Sequence, residues 1–525
     1  MSASLTFVLA LPLLWHPVPE LGTPAPGSRE PGSQDPALQA AAEHEIPTPP
    51  TTFALVGATL HTMVQGSVPE VGTLLVAAGR LQVLGPEDPL PEGFAEIDIT
   101  GMHVVPGLLD GMVNHDVEHD ALYLASGVTL VRDTGNRLQT VLEERHPRMR
   151  DRVPGPALYV SGAILDGSTA ATTEAFVLED APKARTLLTG LFQLLTRQAV
   201  EQGLEADAFR LDFLSFHQGL GAQAWREVVR LGREDLDVQV WGPVPAAVRL
   251  KDVVAAGQHG IFGLNGLLPP GRGWHDVQLE DLAAGLELLA GSEVMVTPML
   301  TAYSRMLAER PDAERQLSCL SPHYEVTWRS EAMAWEAGNG QGTMVAMVQN
   351  ALAVQRDCLR WLHENGVTLV PGSAAPNAWL FPGAGLIDEL DQWVAAGIPR
   401  QEVLRLATAG AADALGIGHE RGHLVTGAVA DLVILGTDPR RSLRTLRDPE
   451  MVVVRGRLLE RMDLEVLVET TASQQDLARA VLTAPLEIDL PDHPEGELIL
   501  SGYAENEAHG LRISAERFCV VRQAD

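Results

Sequence analysis

The chain has 525 residues, 46% of them hydrophobic, which is enough for one large domain with additions. Its net charge of −31 argues against nucleic acid and anionic membrane surfaces as partners. Salt adaptation gives the same composition, so acidity alone does not say why the surface is charged. Lys183 and Lys251 are the only lysines among 38 basic residues, a bias toward arginine with consequences below. Cys319, Cys358 and Cys519 are too few and too scattered for a disulfide framework or a zinc ribbon, and read as free or buried thiols.

The apolar run Leu5 to Trp15 is too short to span a bilayer. It fits a signal-peptide core over residues 1–18 and predicts export, although Met1 to Ser4 carries no basic residue. No other run has the length and apolarity of a membrane helix. Residues 19–52, rich in Pro, Gly, Ala and Glu without periodicity, read as a linker. Short β-type runs separated by Gly and Pro turns then fill 53–105. From 106 to 418 apolar strand-like runs such as GVTLVRD, PALYVSG, VQVWGPV and GVTLVPGS alternate with helical patterns, among them Ala222 to Arg233 and Leu279 to Leu289. Repeated strand-then-helix over this length predicts an α/β fold, a (β/α)8 barrel with its chemistry at the C-terminal strand ends. Residues 419–460 return to β character. The extension 461–525 opens on a helical pattern, Leu464 to Leu482, and ends in strand-like runs.

Five segments carry a family resemblance. GATLHTM (57–63) followed by GTLLVAAGRLQVLGP (72–86) resembles the opening β-sandwich of the amidohydrolase superfamily. VVPGLLDGMVNHD (104–116) resembles the PGLIDxHxH first strand of metal-dependent amidohydrolases. SGVTLVRDTGN (126–136) resembles GVTTVRDTGG of the imidazolonepropionase-like and prolidase-like branch. LIDELDQWVAAGIPRQEVLRLATAGAADALGI (386–417) resembles its late helices, and GHLVTGAVADLVILGTDP (422–439) resembles the returning sandwich strands. Together, in order and at the right spacing, they cover roughly residues 53 to 460, and the resemblance implies a small composite β-sandwich built from 53–105 and 419–460 beside the barrel.

The resemblance implies two metals, often zinc, that activate a water for attack on an amide or related bond. Their ligands would be two histidines on strand 1, a carboxylated lysine on strand 4, histidines on strands 5 and 6, and an aspartate on strand 8. In this chain those positions read Met112 and Asn114, Arg210 (DAFRL for DFIKI), Pro243 (VWGPV for VAGHV), Gly266 (GLNGL for SIEHG) and Ala374 (PGSAA for AGTDA). Arginine stays cationic and is not carboxylated as lysine is. Both lysines fall in helical surroundings, so neither serves at a strand end. The expectation is a barrel without catalytic residues, without a bound metal or other cofactor, and with a pocket where relatives hold metal.

Three functions remain in play. The first is a non-catalytic member of the family that binds an unidentified small molecule or protein. The second is an active hydrolase of C–N bonds with a rebuilt site at His115, Asp116 and His119, the two histidines having the i, i+4 spacing of a helical metal pair. The third is a barrel in which Arg210 holds an anion. Ser373 reads as a turn serine, and Asp133 keeps an aspartate of the family pattern. Oligomeric state is open.

Overall fold

The computed structural model describes residues 52–483, less 86–87, 139–141, 143–153, 169, 171–174, 306, 308–312 and 340–341, together with 499–506 and 511–519. The expected signal segment and linker lie outside the described residues.

Five strands open the chain: β1 (Thr52–Leu60), β2 (Glu70–Ala77), β3 (Arg80–Leu84), β4 (Ala95–Asp98) and β5 (His103–Pro106). They join three late strands, β15 (Leu432–Leu435), β16 (Met451–Val454) and β17 (Arg457–Glu460), in one sheet ordered β17-β16-β15-β5-β1-β2-β3. Segments more than three hundred residues apart thus share a ladder, with β15 antiparallel to β5. One face buries Phe53, Leu55, Leu74, Val76, Leu432 and Ile434 completely. Burial of such aliphatic side chains, about 1.5–3 kcal/mol each, holds the two ends of the chain together.

Between them lies the barrel. β6 (Leu108–Val113), β7 (Val128–Asp133) and β8 (Ala157–Val160) pair in parallel, as do β11 (Phe213–Ser215), β12 (Gln239–Gly242), β13 (Gly260–Phe262) and β14 (Met295–Thr297). A small pair, β9 (Leu165–Asp166) and β10 (Phe176–Val177), follows β8. Bridges Leu165 to Phe216, Val296 to Leu369 and Val113 to Ala375 connect the sheets, so segment 369–375 is the eighth staff of a closed ring. Closure leaves no free edge. Helices outside it include Ala181–Glu201, Ala222–Glu234, Gly342–Glu364 and Ala384–Ala395. The architecture is the α/β barrel that the sequence predicts, and the segments expected to make a composite β-sandwich form one separate eight-stranded sheet.

The helix expected from Leu464 to Leu482 runs Arg461–Thr483. It packs back onto the molecule. Arg479 donates to the carbonyls of Leu317, Ser318 and Leu320, and Gln475 Nε2 donates to Glu118 Oε2 at 2.7 Å. Beyond it β18 (Ile499–Asn506) and β19 (Leu511–Cys519) form an antiparallel hairpin. No helix among the described residues is long and apolar enough to cross a membrane.

Candidate functional site

The barrel interior is apolar at its base, where Leu109, Leu130, Ala411, Ala412 and Ile417 share one buried cluster. Above them β6 and segment 369–375 are clamped together. Asp110, fully buried, accepts from Ser373 N at 2.8 Å and from Ser373 Oγ at 2.6 Å. Ser373 Oγ in turn accepts from Ala375 N at 3.0 Å. Ser373 is therefore a strand clamp, in keeping with its reading as a turn serine. Desolvation pushes the Asp110 carboxyl up to about 7, with the bonds from Ser373 pulling the other way.

Three predicted positions meet here. Ala374 N donates to Met112 O at 2.8 Å, and Asn114 N donates to Ala375 O at 2.8 Å. Ala374 is buried at φ +58°, a left-handed backbone better suited to Asp or Asn. Pro243 follows β12 directly. Gly266 lies in the turn Asn265–Leu267, where a Cβ would stand 2.2 Å from Val244 Cγ2.

Arg210 does not join them. It precedes β11, on the opposite end of the barrel from the strand C-termini, and donates to Leu236 O and Asp237 O at 2.7 Å each. The fourth strand lies five residues later than the sequence pattern predicts. Asp212-Phe213-Leu214-Ser215-Phe216 fits the DFIKI pattern within the observed strand and brings Ser215 to the lysine position. The conclusion about lysine is unaffected, because Lys183 and Lys251 both lie on helices.

The interior does contain a cation that the sequence reading passed over. Arg132 on β7 is 1% exposed, and its guanidinium carbon sits 3.8 Å from the Phe213 ring centre and 4.1 Å from that of Trp241. Its two terminal nitrogens have no hydrogen-bond partner among the described residues. Burial depresses its pKa strongly, while Asp212 opposes the shift. A charged residue at an inward position of the strand VTLVRD was the available signal.

The alternative trio is only partly assembled. His115 Nε2 lies 2.8 Å from Asp120 Oδ1, both buried. Asp116 instead caps the turn Val117–His119, accepting from Glu118 N at 2.9 Å. His119 is fully buried, its ring 5.7 Å from that of Tyr324, and neither ring nitrogen has a partner among the described residues. Desolvation lowers its pKa, with Asp116 opposing. Among the described residues these three do not bring ligand atoms close enough to share one ion.

The donor set does not fit the family's metals. Met112, Ala374, Pro243 and Gly266 offer no imidazole or carboxylate, Asn114 a neutral amide and Ser215 a neutral hydroxyl. Metals of this class need deprotonated carboxylate, imidazole or thiolate ligands.

A sequence model of the amidohydrolase family matches residues 304–459. Over those residues the chain resembles that family. This amidohydrolase fold is shared with a bottromycin amidohydrolase, at 21% identity and a TM-score of 0.65 over 85% of this chain and 94% of that one. It is shared with a candidate prolidase from Bifidobacterium longum, at 20% identity and 0.58 over 80% and 98%. A Xaa-Pro dipeptidase with bound methionine in its active site gives 15% identity and 0.56 over 78% and 100%. No curated protein sequence matches the chain.

Proposed function

We propose that this amidohydrolase-fold protein has lost metal-dependent hydrolysis and acts by binding a small molecule or protein. The carrying observation is Arg132, which puts a protein cation in the barrel interior, where the family pattern implies metal cations. A fixed positive charge in a low-dielectric interior repels divalent metal. The strand-end residues supply no carboxylate or imidazole to offset that repulsion. The variant of this reading in which Arg210 holds the ligand is set aside, since Arg210 caps carbonyls outside the pocket. Export through the N-terminal apolar segment belongs to the same proposal.

A second reading, hydrolysis of C–N bonds at a non-standard site, draws on the buried His115–Asp120 pair, an imidazole oriented by a carboxylate. One experiment separates the two. Purified protein is assayed against dipeptides, N-acyl amino acids and lactones, with and without chelator and with His115→Gln. No turnover above background supports the binding reading. Turnover abolished by His115→Gln supports the second reading and contradicts the first.

A further inference from the structure

A different group of ligating side chains stands outside the barrel, at one end of the eight-stranded sheet. His61 directly follows β1, His103 opens β5, and Asp438 lies three residues past β15. These are three adjacent strands. Thr59 pairs with His103, Leu435 pairs with His103, and His61 N donates to Val104 O at 2.9 Å. The ladders therefore fix all three residues at one end of the sheet. His61 Nε2 and His103 Nδ1 are 3.1 Å apart, and one ligand atom from each of the three residues lies within 4.8 Å of the others. Tetrahedral zinc with bonds of 2.0–2.1 Å to nitrogen holds neighbouring nitrogens about 3.3 Å apart. The histidine pair already has nearly that separation.

The geometry points to a divalent transition-metal site, of the zinc class, formed by His61, His103 and Asp438. Two imidazoles and a carboxylate suit such a cation better than calcium or magnesium, which prefer all-oxygen shells. His61 is buried and His103 half-buried, and burial is the main cause that lowers the pKa of each imidazole. Three protein ligands leave a fourth position open to water or a ligand. His61 also lines a cavity of about 610 Å³ between the loop 62–69 and residues 399–413, whose wall includes Glu402, Arg405, Asp413 and His423. Arg440 is the opposing group. Its guanidinium forks onto Asp438, with Nη2 to Oδ2 at 2.7 Å and Nε to Oδ1 at 3.0 Å. Arg440 N also donates to Oδ1 at 2.9 Å and Nε to Oδ2 at 3.1 Å, so each carboxylate oxygen accepts twice from Arg440 and zinc must displace part of this fork to take Asp438.

The site is independent of the barrel and of the reading proposed for it. The test is titration of the metal-free full-length chain with zinc chloride, followed by calorimetry and by competition with a chromophoric chelator. His61→Ala and His103→Gln are run beside it, with thermal unfolding as the check that each is folded; the half-buried His103 is the safer substitution. The expected result is one zinc per wild-type chain and affinity weakened about a hundredfold in each folded variant. Failure of the wild type to take up zinc, or wild-type affinity in either folded variant, overturns the proposal.

Discussion

Ser373 donates its hydroxyl to Asp110 across the seam where the last staff of the barrel meets the first, at 2.6 Å and out of contact with water. The aspartate belongs to the PGLLD segment that carries the family resemblance. Here it closes the ring, and its neighbours Met112 and Asn114 carry no ligand chemistry. Ser373→Ala removes that bond and the one from Ala375 N, leaving a buried carboxyl under-satisfied. The expected loss is about 1–3 kcal/mol of stability, read from denaturant unfolding, with far-ultraviolet dichroism unchanged.

The same carboxyl makes stability depend on pH. Burial lifts Asp110 to about 7, so the folded chain holds this proton more tightly than the unfolded chain does. Its contribution is full below the ordinary aspartate range near 4 and drains away as pH rises toward about 7. Fully buried Glu389, also raised by desolvation, adds a slope of the same sign. Asp110→Asn should therefore lose less stability than the wild type between about pH 4 and about pH 7. Equal losses in the two proteins would show that Asp110 does not titrate in that window.

Arg132 is a buried charge held by aromatic faces. Replacing such a group by an apolar side chain of similar volume is often neutral or stabilising by about 1–4 kcal/mol. Arg132→Met should raise the denaturant midpoint or leave it in place. A fall of several kcal/mol would mean that the guanidinium has a partner worth more than its desolvation.

At two positions where the family pattern implies ligands, the backbone serves other uses. Ala374 at φ +58° carries the cost of a left-handed residue, about 1–2 kcal/mol, so Ala374→Gly should stabilise by about 1 kcal/mol. At Gly266 a Cβ would meet Val244 Cγ2 at 2.2 Å, so Gly266→Ala should destabilise by about 1–3 kcal/mol through overpacking. Thermal unfolding of the two variants checks both signs.

Much of this was legible in the chain. The first and last barrel staves were placed by their flanks, PGLLD and PGS, because turn residues and the buried aspartate fix the register there. The helix Ala222–Glu234 follows from its apolar spacing. The fourth strand was misplaced because Asp207-Ala208-Phe209 and Asp212-Phe213-Leu214 offer near-identical local patterns, and a three-residue strand carries too little periodicity to choose between them. Tertiary pairing decided it, through Asp212 N on Val160 O at 2.9 Å. The ring cage of Arg132 and the meeting of His61, His103 and Asp438 depend on contacts between distant segments, which no local window contains.

The central claim is that the barrel performs no metal-dependent hydrolysis. The most direct measurement is turnover of an amide and dipeptide panel by zinc-loaded protein, wild type and His61→Ala, before and after chelator. His61→Ala separates zinc at the eight-stranded sheet from zinc in the barrel, so metal content alone does not mislead. The account predicts background turnover in all four samples. Chelator-sensitive turnover that survives His61→Ala would contradict it.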